Sequence, residues 1–179
     1  MPHVNPQGVD TCVSAFIVNK RRCLLIDHQK LEVWLGVGGH WADTNKDETF
    51  DDALKHEIRD EVGIDWDDLW FLRQERQLSF PKVDPSVSHN HVQMLLPVAV
   101  DLHDFPPLPG HRHQALVYFA ISRTGVIPPA AEYHGRARWF TRDELRDPAL
   151  KTLPTIRYYA DAAIVASLSV AVPDGWHKE

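Results

Sequence analysis

The sequence predicts an α/β sandwich, in which strands and amphipathic helices pack as layers around one core. Two segments, 11–18 (TCVSAFIV) and 113–122 (HQALVYFAIS), are rich in β-branched and aromatic residues and are predicted strands. Two others, 49–62 and 155–168, carry apolar residues at three- and four-residue spacing, which is typical of helices with one buried face. Strands separated by helices favour this layered architecture.

The first strand continues into a hairpin. Polar residues 19–21 (NKR) form the predicted turn, and Arg22–Ile26 forms the returning strand. A third strand, Val33–Val37, leads into a pair of glycines. Further strands are predicted around Phe71–Leu78, over His91–Leu102 with Pro97 marking an edge or a bulge, and over Arg136–Phe140.

Capping residues set the predicted ends of the helices. Thr49 is the expected N-cap of the first long helix, with Asp52 three residues later, and Gly63 is the expected residue just beyond its end. Thr141 and Glu144 form the same capping pattern at the start of a short helix in the segment TRDELRD.

Length and charge limit the class of protein. The 179 residues are expected to form one domain, 1–179, with a loosely ordered lead-in at 1–9 and a loosely ordered tail at 173–179. The net charge of −6 argues against a general nucleic-acid or anionic-membrane partner, and no apolar run is long enough to span a membrane. The first ten residues lack the pattern of a signal peptide, so we expect a cytoplasmic protein.

The two cysteines, Cys12 and Cys23, fall on neighbouring predicted strands and could lie near each other. In a cytoplasmic protein, two buried thiols are favoured over a disulfide or a pair of metal ligands.

Three carboxylates share one turn of the first long helix. Glu57, Asp60 and Glu61 stand at positions i, i+3 and i+4, which places them on one side of the helix. Like charges this close repel each other. Either the helix presents a solvated acidic face, or a divalent cation such as Mg²⁺ removes the repulsion.

The stretch that contains these carboxylates resembles the Nudix box, G-x5-E-x7-R-E-U-x-E-E-x-G-U, where U is a bulky aliphatic residue. The matching residues are Gly39, Glu48, Glu57, Ile58, Asp60, Glu61, Gly63 and Ile64. Three features differ from the pattern: the loop between Gly39 and Glu48 has three extra residues, His56 stands in place of arginine, and Asp60 stands in place of glutamate. The resemblance implies the Nudix fold, an α/β/α sandwich with a mixed β-sheet between helices.

The resemblance also implies a reaction, namely hydrolysis of the diphosphate linkage in a nucleoside diphosphate derivative, a small nucleotide-type substrate. It implies Mg²⁺ or Mn²⁺ as cofactor, held by Glu57, Glu61, Asp60 and the carbonyl of Gly39, with a catalytic role for Glu57 and Glu61 as well. Glu48, which the family holds with the box arginine, is a further catalytic candidate. Glu132 is the best-placed residue for a general base from a late loop, and homodimers are common in the family.

Histidines form a second group of candidates. Two His-x-His pairs, His89/His91 and His111/His113, place two imidazoles on one face if they lie in strands, so either pair could bind a transition metal. They could also be ordinary core or surface histidines, or contacts to substrate phosphates. The stretch 100–120 (VDLHDFPPLPGHRHQALVYFA) is similar to that of Nudix relatives that have GGH at the box and H-x-H before a strand. The resemblance therefore implies that His111 and His113, together with His40 of the GGH sequence, bind substrate.

A second function stays open, namely a Nudix-fold module that binds a nucleotide without cleaving it. His56, Asp60 and the longer loop favour this alternative, whereas the clustered Glu57 and Glu61 favour catalysis.

Overall fold

The computed structural model describes residues 8–41, 49–72, 94–105, 108–129, 131–172 and 176. Glu48, His89, His91 and most of the predicted strand Phe71–Leu78 lie outside these residues. The strands are β1 Val9–Asn19, β2 Arg22–His28, β3 Val33–Leu35, β4 Val37–His40, β5 Leu69–Phe71, β6 Ala99–Asp104, β7 Arg112–Ser122 and β8 Ala137–Phe140. The helices are α1 Phe50–Glu57, α2 Arg142–Arg146 and α3 Pro154–Ser169. A π-helical turn, Ile58–Val62, continues α1, and a 3₁₀ turn covers Trp66–Asp68.

All eight described strands join one mixed sheet. Its centre is the long parallel pair β1–β7, in which the residues from Val9 to Val18 lie opposite those from Arg112 to Ile121. The other pairings are antiparallel: β1 with β2 and β4, β2 with β3 and β8, and β7 with β5 and β6. The predicted mixed sheet is therefore confirmed.

Alternate residues of β1 belong to two different cores. Val13, Ala15 and Ile17 pack on the side of α1. Phe16 and Val18 pack on the other side, with buried residues of α2 and α3. Because successive side chains of a strand point to opposite faces, this alternation places helices on both sides of the sheet. The predicted α/β/α sandwich is confirmed.

Both predicted capping boxes are present. The Thr49 hydroxyl accepts a hydrogen bond from the main chain of Asp52, and the Asp52 carboxylate accepts one from the main chain of Thr49. Thr141 and Glu144 repeat the arrangement at α2. Gly63 ends the first long helix in the left-handed conformation, with φ 65°. These ends follow from local hydrogen bonding, which is why the sequence predicts them well.

Two predictions about the strands were wrong. The single strand predicted over Val33–Val37 is interrupted at Gly36, so β3 pairs with β2 while β4 pairs with β1. Cys12 and Cys23 do lie on neighbouring strands, but Cys23 is opposite Val18, six positions along β1 from Cys12. Neither cysteine forms a disulfide, and Cys23 is buried whereas Cys12 is only partly buried.

Among the described residues, no helix has the length and apolar character needed to cross a membrane.

The packing of α1 predicts the effect of a cavity mutation. Leu54 is 0% exposed, so Leu54→Ala should lower the free energy of unfolding by about 2–5 kcal/mol because it removes buried methyl groups and leaves a cavity. The matched control is Leu168→Ala on α3, where the leucine is 44% exposed and the cost should be under about 1 kcal/mol. Urea unfolding measures both variants, and equal losses would contradict the core assignment of α1.

Candidate active site

The first long helix widens in its last turn. Residues Ile58–Val62 form a π-helical turn, a feature often found at functional sites. The carbonyls of Asp60 and Glu61 accept hydrogen bonds of 2.9 Å each from the main-chain N–H groups of Glu132 and Tyr133. The loop between β7 and β8 is thereby attached, at Glu132 and Tyr133, to the turn that carries Glu61.

Glu61 is buried against the main chain of β4. The residue is only 7% exposed, and its Oε2 accepts a hydrogen bond of 2.8 Å from the Gly38 N–H. Gly38 has φ 151°, and a side chain there would place its Cβ 2.1 Å from the carbonyl oxygen of Val13. Only glycine suits this position, since the backbone conformation and the contact both exclude a side chain.

Glu57 lies against the neighbouring glycine. A Cβ atom added to Gly39 would be 2.2 Å from Glu57 Oε1, so the carboxylate occupies the space that a side chain would need. Glu57 and Glu61, one at the end of α1 and the other in the π-helical turn, thus converge on the glycine pair of β4.

The surroundings of Glu61 oppose its negative charge. Burial is the largest cause, and the charges of Glu57 and Glu132 add to it, so that the pKa of Glu61 is raised to about 9 despite the hydrogen bond from Gly38. Burial also raises the pKa of Tyr133, with smaller contributions from Glu61 and Glu132. Without a nearby cation, Glu61 would therefore be protonated at neutral pH.

Glu132 approaches the same cluster from the loop after β7. Its side chain is exposed, while its N–H is fixed on the carbonyl of Asp60. The adjacent Tyr133 is 8% exposed and packs with the core on the α1 side of the sheet. The loop therefore presents one solvent-accessible carboxylate beside two less accessible ones.

Asp60 is placed differently from the other two carboxylates of its motif. Its side chain is 61% exposed and forms an ion pair of 2.9 Å with Nε of Arg59. The widened turn thus buries Glu61 while directing Asp60 to solvent. Glu48, the remaining acidic residue predicted for the site, lies outside the described residues.

The predicted substrate-binding histidines lie together, but on the opposite face of the sheet. His40 is opposite Cys12 in the β1–β4 register, and His113 is opposite Asp10 in the β1–β7 register. These positions alternate with Val13 and Gly39, which face α1. His40 therefore points away from the carboxylates although it directly follows Gly39.

The sequence did not identify two further residues, Asp10 and Cys12, that lie with these histidines. Candidate metal ligands include Asp10 and Cys12 beside His40, His111 and His113. The alternation of Asp10 and Cys12 in a predicted strand was a usable signal for a shared face. Their neighbours on that face depend on the strand order, which the sequence did not reveal.

The chain matches a known protein family. A family model described as NUDIX domain matches residues 9–161. Among curated proteins, none matches the chain in sequence.

Solved structures resemble the fold at low identity. A NUDIX family hydrolase from Clostridium perfringens has a TM-score of 0.65 at 22% identity, covering 87% of this chain and 96% of that one. A NUDIX hydrolase from Nitrosomonas europaea has a TM-score of 0.55 at 17% identity, with coverages of 84% and 88%. A MutT NUDIX hydrolase from Burkholderia pseudomallei has a TM-score of 0.52 at 19% identity, with coverages of 88% and 97%.

The two glycines of β4 should respond differently to alanine. In Gly39→Ala the new methyl group meets the end of the flexible Glu57 side chain. We therefore expect the protein to fold but the Glu57 carboxylate to be displaced. In Gly38→Ala the methyl group meets the backbone of Val13, so we expect a loss of stability of several kcal/mol. Thermal unfolding and Mn²⁺ titration distinguish the two effects. A Gly39→Ala protein with unchanged Mn²⁺ affinity would show that Glu57 takes no part in binding.

Proposed function

The chain belongs to the Nudix family of hydrolases, and on that premise we propose that it is a pyrophosphohydrolase that requires a divalent metal and cleaves the diphosphate linkage of a nucleoside diphosphate derivative. One observation carries the proposal: Glu61 is buried beside Glu57 on the glycine pair of β4. Buried carboxylates of like charge are unfavourable by themselves and are typical of sites that hold a cation or that tune a proton-transfer group.

The residues of this cluster fit a hard divalent cation. Carboxylate oxygens are the ligands that Mg²⁺ and Mn²⁺ prefer, and the side chains of Glu57 and Glu61 supply them. The absence of a side chain at Gly39 leaves room for the Glu57 carboxylate beside the strand. The resemblance to the Nudix box adds the Gly39 carbonyl as a further proposed ligand. A bound cation would supply neutralisation of phosphate charge and acidification of a bound water.

Two other groups near the carboxylates have separate roles: one orients Glu61 and the other can accept a proton. The Gly38 N–H holds Oε2 of Glu61, which leaves Oε1 as the oxygen available to a cation. Glu132 is exposed to solvent next to Glu61, where it is available to accept a proton from the attacking water. Its fixed N–H holds the loop at this position.

Glu61→Gln is the central test. It keeps the size and the acceptor oxygen for Gly38 but removes the charge, so turnover should fall by about 10²-fold or more, as loss of a key electrostatic group does. Formation of nucleotide products is measured by chromatography on nucleoside triphosphates, ADP-ribose, dinucleoside polyphosphates and nucleotide sugars, with Mg²⁺, with Mn²⁺ and with EDTA. The matched control is the exposed Glu32→Gln, which should keep full activity. If no compound is hydrolysed while calorimetry still detects nucleotide binding, the chain is a binding module instead.

Asp60→Asn tests whether Asp60 contributes to turnover and metal binding as much as Glu61 does. Because the Asp60 side chain is exposed and paired with Arg59, we expect the variant to lose less than about 10-fold in turnover and to keep its Mn²⁺ affinity within a factor of about 3. The same activity assay and a Mn²⁺ titration measure both effects beside Glu61→Gln. A loss equal to that of Glu61→Gln would show that Asp60 turns inward to the metal.

A further inference from the structure

A second cluster of potential metal ligands lies on the face of the sheet opposite the carboxylates. It is formed by four side chains on three adjacent strands, and His111 immediately before β7. These residues are Asp10 and Cys12 of β1, His40 of β4, His113 of β7 and His111. We propose that this cluster is a transition-metal site, with Zn²⁺ as the favoured ion and Cys12, His40 and His113 as its first three ligands.

Strand register brings these groups together. Cys12 is directly opposite His40 in the antiparallel pair β1–β4, and Asp10 is directly opposite His113 in the parallel pair β1–β7. Residues two apart in a strand share a face, so Asp10 and Cys12 point to the same side. The strands β1, β4 and β7 therefore each contribute potential ligands to the same place on this face of the sheet.

The distances suit a small ion. The ligand atoms of Cys12, His40 and His113 all lie within 4.8 Å of one another. The two Nε2 atoms of His40 and His113 are 3.3 Å apart. Two nitrogens that each lie about 2.0–2.1 Å from a tetrahedral Zn²⁺ are themselves about 3.3 Å apart, which matches this separation. A hydrogen bond between two imidazoles would explain that contact alone, but it would not explain a thiol at the same place.

A fourth ligand is available next to these three. Asp10, His40 and His111 form a second set whose ligand atoms lie within 4.8 Å, and it shares His40 with the first set. His111 Nε2 is 3.6 Å from Asp10 Oδ2, so one of this pair can complete the coordination while the other supports it. Histidines that bind zinc commonly have such a carboxylate partner.

Neighbouring side chains hold the rings in place. Phe105 stacks on the His113 ring with centroids 4.6 Å apart. The centroid of the His103 ring lies 5.7 Å from that of His113. His103 Nδ1 in turn lies 2.8 Å from Oδ1 of Asp101, which fixes its ring. Asp10, His111 and His113 are each at most 9% exposed, whereas Cys12 and His40 are partly exposed. The cluster is thus buried at Asp10, His111 and His113 and accessible at Cys12 and His40.

The donor set decides the class of ion. Thiolate and imidazole ligands favour Zn²⁺ and other late transition metals, whereas the carboxylates on the other face favour Mg²⁺ or Mn²⁺. A four-ligand site of this type is typically closed and structural, so we assign it the role of fastening β4 to β1 and β7. His40 directly follows Gly39, so this fastening would fix the strand that carries the glycine pair.

The test uses the full chain, treated with a chelator and then titrated with Co²⁺ as a spectroscopic substitute for Zn²⁺. We expect one equivalent to bind with the strong visible bands of tetrahedral cobalt and a thiolate-to-metal charge-transfer band. Cys12→Ala should abolish the charge-transfer band, and His40→Ala or His113→Ala should weaken binding by at least about 10²-fold, more than loss of an outer-shell partner. Competition with Zn²⁺ gives its affinity, and metal analysis of the purified protein should find about one zinc per chain.

Two control variants show whether the cobalt ion binds at this cluster and nowhere else on the chain. Cys23→Ala removes the other thiol, which is fully buried on β2, and should leave the cobalt spectrum unchanged. Glu57→Gln disables the proposed carboxylate site and should also leave it unchanged, so the two proposals can fail independently. In the wild-type chain, saturation with Zn²⁺ should raise the midpoint of thermal unfolding, because an ion that binds only the folded state stabilises it. This readout does not depend on whether a variant folds.

The opposite results would overturn the inference. They are a cobalt spectrum without a thiolate band, wild-type affinity in the Cys12 and His113 variants, or loss of the spectrum in Glu57→Gln. In any of these cases the cluster would be a set of hydrogen-bonded core side chains.

Discussion

The contact between the widened end of the first long helix and the glycine pair of β4 is the constraint on which the site depends. Glu61 reaches the strand through a hydrogen bond of 2.8 Å from Gly38, and Glu57 fills the space above Gly39. A side chain at Gly39 would take the place of the Glu57 carboxylate, and a side chain at Gly38 would meet the backbone of Val13. The apolar face of the helix, including Leu54 and Ile58, holds this arrangement against the sheet.

Burial of clustered carboxylates works against stability. A charge removed from water without a partner is costly, and the raised pKa of Glu61 expresses this cost. The fold tolerates it because the surrounding apolar core and the main-chain hydrogen bonds to Glu132 and Tyr133 fix the backbone around the cluster. A cation at the carboxylates would relieve the repulsion, so the same feature that costs stability would favour cation binding.

Strand β4 has carboxylates against one face and a thiol and imidazoles against the other. Gly39 faces the oxygen ligands of the helix, and the next residue, His40, faces a thiol and imidazoles. A strand alternates its faces at every residue, so adjacent positions can serve sites that do not share a ligand. Hard and soft donors are thereby kept on opposite sides of one sheet.

Local signals in the sequence predicted much of this protein. The caps at Thr49 and Thr141, the end at Gly63 and the long strands β1 and β7 follow from short-range hydrogen bonding and apolar patterning, and the structure confirms them. The spacing of Glu57 and Glu61 likewise placed two carboxylates on one side of a helix. The division of the predicted strand Val33–Val37 at Gly36 was not foreseen, since it depends on two strands with different neighbours.

Tertiary structure alone decided which chemical groups meet. The sequence placed Asp60 with the two glutamates, but the π-helical turn changes the helical phase and directs Asp60 to solvent. The sequence predicted His40 as a substrate-binding residue, and strand alternation and register place it with Cys12 on the face opposite the carboxylates. The physical reason is that helix ends and motif spacing are fixed by bonds between near neighbours, while the side of a sheet on which distant residues converge is fixed by the pairing of whole strands.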